Sequence, residues 1–203
     1  MHRRRQAEAV SVPLKWRDCI SFQEIGGIME SHNIEPVFNK ESKILILGSF
    51  PSVKSRKQQF FYGHPQNRFW KVISSITNEE LPTTIDEKKN LLLRNHIAVW
   101  DVIKSCDIIG SSDSSISNVR ANDIYRILNV ANIKSIYANG DKSYSLFRKY
   151  FKELDIIKLP STSPANAQYS LERLIEEWKI IMYGTKPLLC KERGTTEGGG
   201  EIV

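Results

Sequence analysis

The sequence predicts an α/β three-layer sandwich, in which helices flank a central, mainly parallel four-stranded sheet. Two observations carry this prediction: short apolar runs typical of strands buried on both faces, and amphipathic helical patterns between them. The 203 residues, 40% hydrophobic and 26% charged, suffice for one globular domain with a sizeable core. We place that domain at residues 34–186, after an N-terminal extension at 1–33 that we expect to be flexible, and before a tail at 187–203 that we expect to be disordered.

Four short runs predict the strands of the sheet. Residues 43–48 form a continuous apolar run that ends in glycine, the pattern of a strand buried on both faces. Similar runs follow at 97–100, 133–138 and 155–159. The patterns between and after the runs predict helices at 68–76, 84–94, 122–130, 142–154 and 170–182. Because strands and helices alternate, we expect the strands to be mainly parallel.

Two of these helices carry specific signals. The first has one apolar face, formed at helical spacing by Phe69, Val72, Ile73 and Ile76. The second opens with Thr84 as a capping residue and with acidic residues in its first turn, and both features are typical of helix N-termini.

The position of a functional site follows from the predicted topology. In parallel α/β sheets, ligands bind beyond the carboxyl ends of the strands. Three segments dense in turn residues lie in such positions along the chain, at 48–52, 62–67 and 160–167. We therefore expect these three segments to converge on one cleft.

The charge distribution points to a polyanionic partner. The formal net charge is +6, and residues 43–78 contain no Asp or Glu. That stretch carries six cations, interleaved with the aromatic residues Phe50, Phe60, Phe61, Tyr62, Phe69 and Trp70. Such a pattern suits a surface that neutralises phosphates and stacks on bases. The alternative is that the aromatic residues form core and that the cations lie on an ordinary solvated face.

Several classes of protein are excluded or disfavoured. No apolar run reaches the ~18 residues of a membrane span. The three cysteines, Cys19, Cys106 and Cys190, are too few and too scattered for a disulfide framework or a cysteine zinc site, so we expect a reducing, cytoplasmic setting. The four histidines show no paired metal spacing, and we expect no metal and no cofactor.

Two catalytic motifs fail on inspection. Residues 48–55 almost match a phosphate-binding P-loop, but Val53 replaces the second glycine and Pro51 removes a backbone donor. The Gly-x-Ser-x-Gly motif of serine hydrolases is absent. The sequence therefore favours neither a nucleotide triphosphatase nor a serine hydrolase.

Four motifs in order resemble the uracil-DNA glycosylase superfamily, and the resemblance covers residues 33–182. They are Gly48-Ser-Phe-Pro-Ser52, the segment 62–70, Trp100-Asp-Val-Ile103 and the segment 161–167. The nearest branch is the hypoxanthine-DNA (deoxyinosine) glycosylase family. The string His64-Pro-Gln-Asn-Arg-Phe-Trp70 is also similar to the mismatch-specific uracil/thymine-DNA glycosylases.

The resemblance implies a monofunctional DNA glycosylase of base excision repair. Such an enzyme flips a deaminated base out of DNA and hydrolyses its N-glycosidic bond, here releasing hypoxanthine from deoxyinosine. It works without a metal or an iron–sulfur cluster, and we expect a monomer. Three alternatives stay open: a mismatch-specific uracil/thymine glycosylase, a catalytically silent nucleic-acid-binding relative, and a small-molecule nucleosidase.

There are two catalytic candidates, one from the resemblance and one from its position at the end of a strand. Asn67 matches the position to which the hypoxanthine branch attributes catalysis, although it could simply cap the following helix. Asp101, at the end of a predicted strand, is placed to bond a base edge or to position water, or else to cap a turn. Phe50 stands where the mismatch-specific relatives carry a polar Asn, which argues against robust uracil excision.

The remaining candidates would hold the base and the DNA. Tyr62 or Phe50 is the expected stacking platform, and Ser49 and His64 are further base-pocket candidates, with His64 also able to reach a phosphate. The loop at 161–167 matches a motif that presses on the minor groove and fills the space left by the flipped nucleotide. The predicted DNA contacts are Ser52, Lys54, Arg56, Lys57, Ser161, Thr162, Ser163, Pro164 and Asn166.

Overall fold

The computed structural model describes residues 29–183. Its strands are β1 (Met29–Ser31), β2 (Ile44–Gly48), β3 (Ile97–Asp101), β4 (Ile103–Asp107), β5 (Ser117–Ala121), β6 (Ser135–Asn139) and β7 (Ile157–Leu159). Its helices are α1 (Val53–Gln58), α2 (Phe69–Thr77), α3 (Ile85–Arg94), α4 (Tyr125–Leu128), α5 (Asp141–Tyr150), α6 (Leu171–Trp178) and α7 (Ile180–Tyr183). Within this part of the chain, no helix is long and apolar enough to cross a membrane.

The central sheet has four parallel strands in the order β3-β2-β6-β7. Every residue of β2 and β3 is buried, which is why both strands have continuous apolar sequences. Helix α3 packs against β3, and α5 packs against β6 and β7. The predicted α/β fold with a four-stranded parallel sheet is confirmed.

A second, three-stranded antiparallel sheet was not predicted. Its order is β1-β4-β5, and only Val102 separates β4 from the parallel strand β3. At that point the chain leaves the first sheet, while the amides of Val102 and Ile103 still donate to the carbonyls of Gly48 and Ser49. The turn therefore places the end of β3 directly beside the loop that follows β2.

The helices differ from prediction mainly in length. Helix α2 buries Phe69, Val72 and Ile73, as its pattern predicts. Helix α3 begins with a reciprocal capping box between Thr84 and Glu87. The predicted helix at 122–130 forms only α4, and the predicted helix at 170–182 is divided into α6 and α7. Helix α1 was not predicted, because its sequence is polar and shows no apolar face.

The folded region begins earlier than the predicted residue 34. Strand β1 pairs with β4, and His32 is buried with its Nε2 atom 2.7 Å from the carbonyl oxygen of Ile103. The expectations for residues 1–28 and for the tail at 187–203 fall outside the described residues.

Candidate active site

A cavity of about 300 Å³ lies at the carboxyl ends of the parallel strands. The segments at 48–52, 62–67 and 160–167 all contribute to its walls, so the predicted convergence is confirmed. Two further contributions were not predicted: Asn139 at the end of β6, and the loop after β4, which supplies Ile108, Ser111 and Asp113. The cavity is thus built where the topology of a parallel sheet places a ligand.

Gly48 and Asp101 are neighbours across the strand ends. They are paired in the parallel register of β2 and β3, and both line the cavity. A Cβ atom on Gly48 would clash with Oδ1 of Asp101 and lie 3.5 Å from the hydroxyl of Tyr62. The first motif therefore needs glycine at position 48, because the carboxyl group occupies the space that a side chain would take.

One oxygen of the Asp101 carboxyl group is buried without a partner. The residue is 4% exposed, and its Oδ2 atom has no hydrogen bond within the described part of the chain. Burial, together with the negative charge of Asp113, raises the pKa of Asp101 to about 7. Its backbone is fixed by the buried Asn122, whose Nδ2 donates to the carbonyl oxygens of Asp101 and Ile103 at 2.9 and 3.1 Å.

Asn67 combines both roles that the sequence left open. Its Oδ1 accepts a hydrogen bond from the backbone amide of Phe69 at 3.0 Å, which helps to begin helix α2, and the residue also lines the cavity. The same oxygen accepts from the hydroxyl of Thr162 at 3.0 Å. Because two donors hold this oxygen, the orientation of the carboxamide is fixed, and the Nδ2 atom is the group left for a ligand.

Thr162 occupies the interior of the site rather than its surface. It is fully buried, and its hydroxyl donates to Asn67 while accepting from Nδ2 of Asn139 at 2.9 Å. Its backbone amide donates to Oδ1 of Asn139, also at 2.9 Å. The predicted DNA contact is therefore not available to this side chain, which instead joins the carboxamides of Asn67 and Asn139.

Arg68 fixes the loop that follows β7. Its guanidinium donates to the carbonyl oxygens of Ser163 at 2.6 Å, of Asn166 at 2.9 Å and of Tyr169, and its backbone amide donates to the carbonyl of Thr162. The sequence groups Arg68 with cations that neutralise phosphates, but its donors are directed at these carbonyls. Arg68 is thus a residue whose role sequence reasoning missed.

The two predicted stacking platforms both line the cavity, in different settings. The ring of Tyr62 stacks on Phe69 with centroids 3.7 Å apart, and its backbone has a φ of 52°, which is unusual for a bulky residue. Its hydroxyl is buried near Asn139 without a well-formed hydrogen bond among the described residues, and burial and the charge of Asp101 raise its pKa. Phe50 is 8% exposed and lies between the ring of His32 and the guanidinium of Arg56.

The other aromatic residues of the basic stretch belong to the core. Phe60, Phe61, Phe69 and Trp70 are all buried. Edge and stacking contacts join them, including a 5.0 Å centroid distance between Phe69 and Trp70. For Phe60, Phe69 and Trp70 the alternative of ordinary core packing holds, whereas Phe61 is buried and also lines the cavity.

Polar side chains complete the rim of the cavity. The hydroxyl of Ser49 donates to Oδ1 of Asp113 at 2.8 Å, which links the first motif to the loop after β4. The hydroxyl of Ser111 accepts from the backbone amide of Val53 at 3.0 Å, so the same loop is also attached to helix α1. His64 is half-buried at the rim, and the structure thus brings Ser49 and His64 to the cavity as predicted.

The predicted phosphate contacts divide into free and engaged groups. Lys54 and Lys57 are exposed on helix α1. Arg56 is 14% exposed, donates to the carbonyl of Pro51 at 2.8 Å and lies 3.6 Å from Glu30, so its guanidinium is largely occupied within the protein. The hydroxyl of Ser52 caps helix α1 by accepting a hydrogen bond from the amide of Ser55 at 3.2 Å, and Ser52 also lines the cavity.

The loop at 161–166 presents a mixed surface. Pro164 is exposed, and Ser161, Ser163 and Asn166 are half-buried. The side chain of Asn166 donates to the carbonyl of Ser161 at 2.9 Å, which tightens the turn. Among residues 29–183, no group of three or more His, Cys, Asp or Glu side chains is placed to hold a metal ion.

Comparison with known proteins gives consistent matches. Residues 35–182 match the family model described as the uracil DNA glycosylase superfamily. A hypoxanthine DNA glycosylase of Methanosarcina acetivorans is 36% identical over 150 residues, which are 71% of this chain and 93% of that protein. A hypoxanthine DNA glycosylase of Methanosarcina barkeri is 35% identical over 117 residues, which are 57% of this chain and 74% of that protein.

A solved structure is also similar. The solution NMR structure of a candidate uracil DNA glycosylase from Methanosarcina acetivorans has a TM-score of 0.65 and 29% sequence identity to this chain. The match covers 77% of this chain and 98% of that one. The similarity therefore extends over nearly the whole of the other protein.

Proposed function

Because the chain belongs to the uracil DNA glycosylase superfamily, we propose that it is a monofunctional DNA glycosylase that hydrolyses the N-glycosidic bond of deoxyinosine. This family membership confirms the resemblance seen in the four sequence motifs. The choice of hypoxanthine as the released base rests on two relatives, 35% and 36% identical, that are named hypoxanthine DNA glycosylases. The structural observation that carries the proposal is that Asn67 and Asp101 line the same cavity.

The cavity suits a base that has left the DNA stack. An enzyme that acts on a base in duplex DNA extrudes it into a pocket and holds it by stacking and by hydrogen bonds. We assign the stacking to Tyr62 and Phe50, whose rings line the cavity, and polar contacts with the base to Ser49 and His64.

Asn67 and Asp101 are the proposed catalytic residues. Cleavage passes through a sugar cation of oxocarbenium character, so a positioned water and a stabilised leaving base are needed. The carboxamide of Asn67, fixed by Phe69 and Thr162, can hold water or the base without a change in charge. Asp101 stands at the end of β3, where it can bond a base edge or act on water.

DNA binding is assigned to the surface around the cavity. The exposed Lys54 and Lys57 are the strongest candidates for phosphate contacts, since their ammonium groups are free of internal partners in the described structure. The loop at 161–166 would press against the DNA, with Ser161, Ser163 and Pro164 at its surface. A cytoplasmic location, a monomeric state and the absence of any metal requirement stay predictions.

The substrate can be tested by strand cleavage after alkali. Duplexes with a single deoxyinosine, a single uracil or a G·T mismatch are incubated with the protein and then treated with alkali, which breaks the strand at abasic sites. We expect cleavage only after alkali, strongest for deoxyinosine. Stronger cleavage at uracil or at the mismatch would indicate a mismatch-specific uracil/thymine glycosylase. Activity on free nucleosides that does not depend on DNA length or salt would indicate a nucleosidase.

Variants separate an enzyme from a silent DNA-binding protein. Asn67→Ala should lose turnover and retain DNA binding, because it removes an uncharged group that acts on the reacting atoms. Asn90→Ala, an exposed asparagine on helix α3, is the matched control and should behave as the wild type. If the wild type binds DNA with strong salt dependence but cleaves none of the three substrates, the enzymatic proposal fails.

A further inference from the structure

Among the cavity-lining residues in the described part of the chain, Asp101 and Tyr62 each have a buried polar side-chain atom without a hydrogen-bond partner, and Asp101 is the carboxyl group of the two. Ser49 is bonded to Asp113, and Asn67 is bonded to Thr162, but Oδ2 of Asp101 has no partner within residues 29–183. Buried polar groups are nearly always satisfied, so an unsatisfied carboxyl in the wall of a cavity calls for an explanation. A group supplied by the substrate would provide one.

Resting on the proposed function, we propose that Asp101 is a neutral carboxylic acid that donates its proton to the departing purine. The position of Asp101 alone is compatible with bonding a base edge or with positioning water, and the proposal assigns Asp101 to the base. It also implies a substrate class: a base that carries a ring nitrogen able to accept a proton as the glycosidic bond breaks, such as N7 or N3 of a purine.

The reaction consumes only the substrate and one water molecule. The C1′–N9 bond breaks, and its electron pair goes to the purine, which takes the proton of Asp101 and leaves as a neutral base. A water molecule held by Asn67 forms the new C–O bond at C1′ and releases a proton to solvent. The Asp101 carboxylate then regains a proton from solvent, so the enzyme returns to its starting state and no further reactant is consumed.

The surroundings of Asp101 favour the neutral acid over a carboxylate base. The titratable groups that face it are Tyr62, from the segment before α2, and Asp113, from the loop after β4. Neither carries a positive charge, and no cation pairs with Asp101 in the described structure; Lys142 of α5 acts on Asp113. A carboxyl that is buried and close to a negative charge keeps its proton, and burial and Asp113 accordingly raise its pKa to about 7.

A neutral acid cannot take a proton from water, so this assignment separates the two catalytic residues. Asn67 has a fixed, uncharged amide that suits the holding of water. Asp101 then acts on the opposite partner of the reaction, the leaving base. General acid assistance of this kind typically contributes about 10²–10⁴-fold to a rate.

The test measures single-turnover excision of deoxyinosine between about pH 5 and 9, where the rate reports the chemical step. For the wild type we expect a rate that falls above about pH 7, since the proton of Asp101 is lost there. Asp101→Asn should lower the rate at about pH 6 by about 100-fold and abolish the fall at higher pH. The exposed Asp155 provides the control variant Asp155→Asn, which should keep both the rate and the fall.

A second variant keeps the proposal testable even if Asp101→Asn does not fold. Asp113→Asn removes the negative charge that helps Asp101 to retain its proton, so the fall in rate should move to lower pH. The proposal is overturned if folded Asp101→Asn keeps the wild-type rate within about threefold, or keeps the fall, or if Asp113→Asn leaves the fall in place. A wild type that excises no deoxyinosine at any pH would instead refute the proposed function itself.

Discussion

Replacing Asp101 by asparagine should make the folded protein more stable at neutral and alkaline pH. The carboxyl group is 4% exposed, and its pKa is raised from 3.8 to about 7. A difference of about 3 pKa units between the unfolded and folded states, at about 1.36 kcal/mol for each unit, corresponds to about 4 kcal/mol. That is the free energy by which ionisation of this buried group destabilises the fold.

The direction of the pH dependence follows from where each state releases the proton. The unfolded chain loses the Asp101 proton near pH 3.8, whereas the folded protein keeps it until about pH 7. Between these values the folded state binds more protons, so the contribution of Asp101 to the free energy of unfolding falls as the pH rises, and it stays low above about pH 7. Because asparagine does not ionise, the free energy of unfolding of the variant should not show this decrease with pH.

The assay is urea denaturation of the wild type and Asp101→Asn at several values between about pH 4 and 8.5. The difference in free energy of unfolding, variant minus wild type, should increase with pH by up to about 4 kcal/mol and then level off. Asp155→Asn, at an exposed position, should show no such increase. If the difference for Asp101→Asn varies by less than about 0.5 kcal/mol across the range, the carboxyl is ionised in the folded protein and the reasoning is refuted.

Three further predictions concern the frame of the site and its surface. Thr162→Val should cost about 1–3 kcal/mol of stability and lower the single-turnover rate more than DNA affinity, because it removes one of the two donors to Asn67 and leaves Nδ2 of Asn139 without its acceptor. Arg68→Lys keeps the charge but loses the planar fork that holds the loop carbonyls, so urea denaturation should show a loss of about 2–3 kcal/mol with the salt dependence of DNA binding unchanged. Lys54→Ala and Lys57→Ala should each weaken binding regardless of sequence and reduce the slope of log K against log salt by about 1, as measured by titration of labelled duplex.

The parallel sheet could be predicted from the sequence because its strands are buried on both faces. Residues 44–48 and 97–101 have no exposed position, and the resulting apolar runs are unambiguous. The antiparallel sheet could not be predicted in this way. Strand β4 exposes Lys104, β5 is mostly exposed, and β1 has only three residues, so these strands depend on pairing with one another rather than on an apolar pattern.

The site was predictable where its residues follow strands. Asp101 ends β3 and was found by that rule, and Asn139 ends β6 and could have been found by the same rule. Asp113 gave no such signal, since its loop is placed by contacts with Ser49 that only the folded chain provides. Arg68 and Lys54 cannot be told apart as cations of the basic stretch in the sequence. Only the structure shows that Arg68 donates to backbone carbonyls and that Lys54 is exposed.

The neutral state proposed for Asp101 also fits the nature of the substrate. DNA carries one negative charge per phosphate, and a carboxylate at the floor of a DNA-binding cleft would repel it, whereas a protonated carboxyl does not. The same burial that destabilises the ionised form keeps the group neutral when DNA enters, so the stability lost as the pH rises towards about 7 and the acid available below that pH have one cause. Stability and catalysis should therefore change in opposite directions in Asp101→Asn. A variant that did not gain stability and did not lose activity would show that the carboxyl plays no part in either.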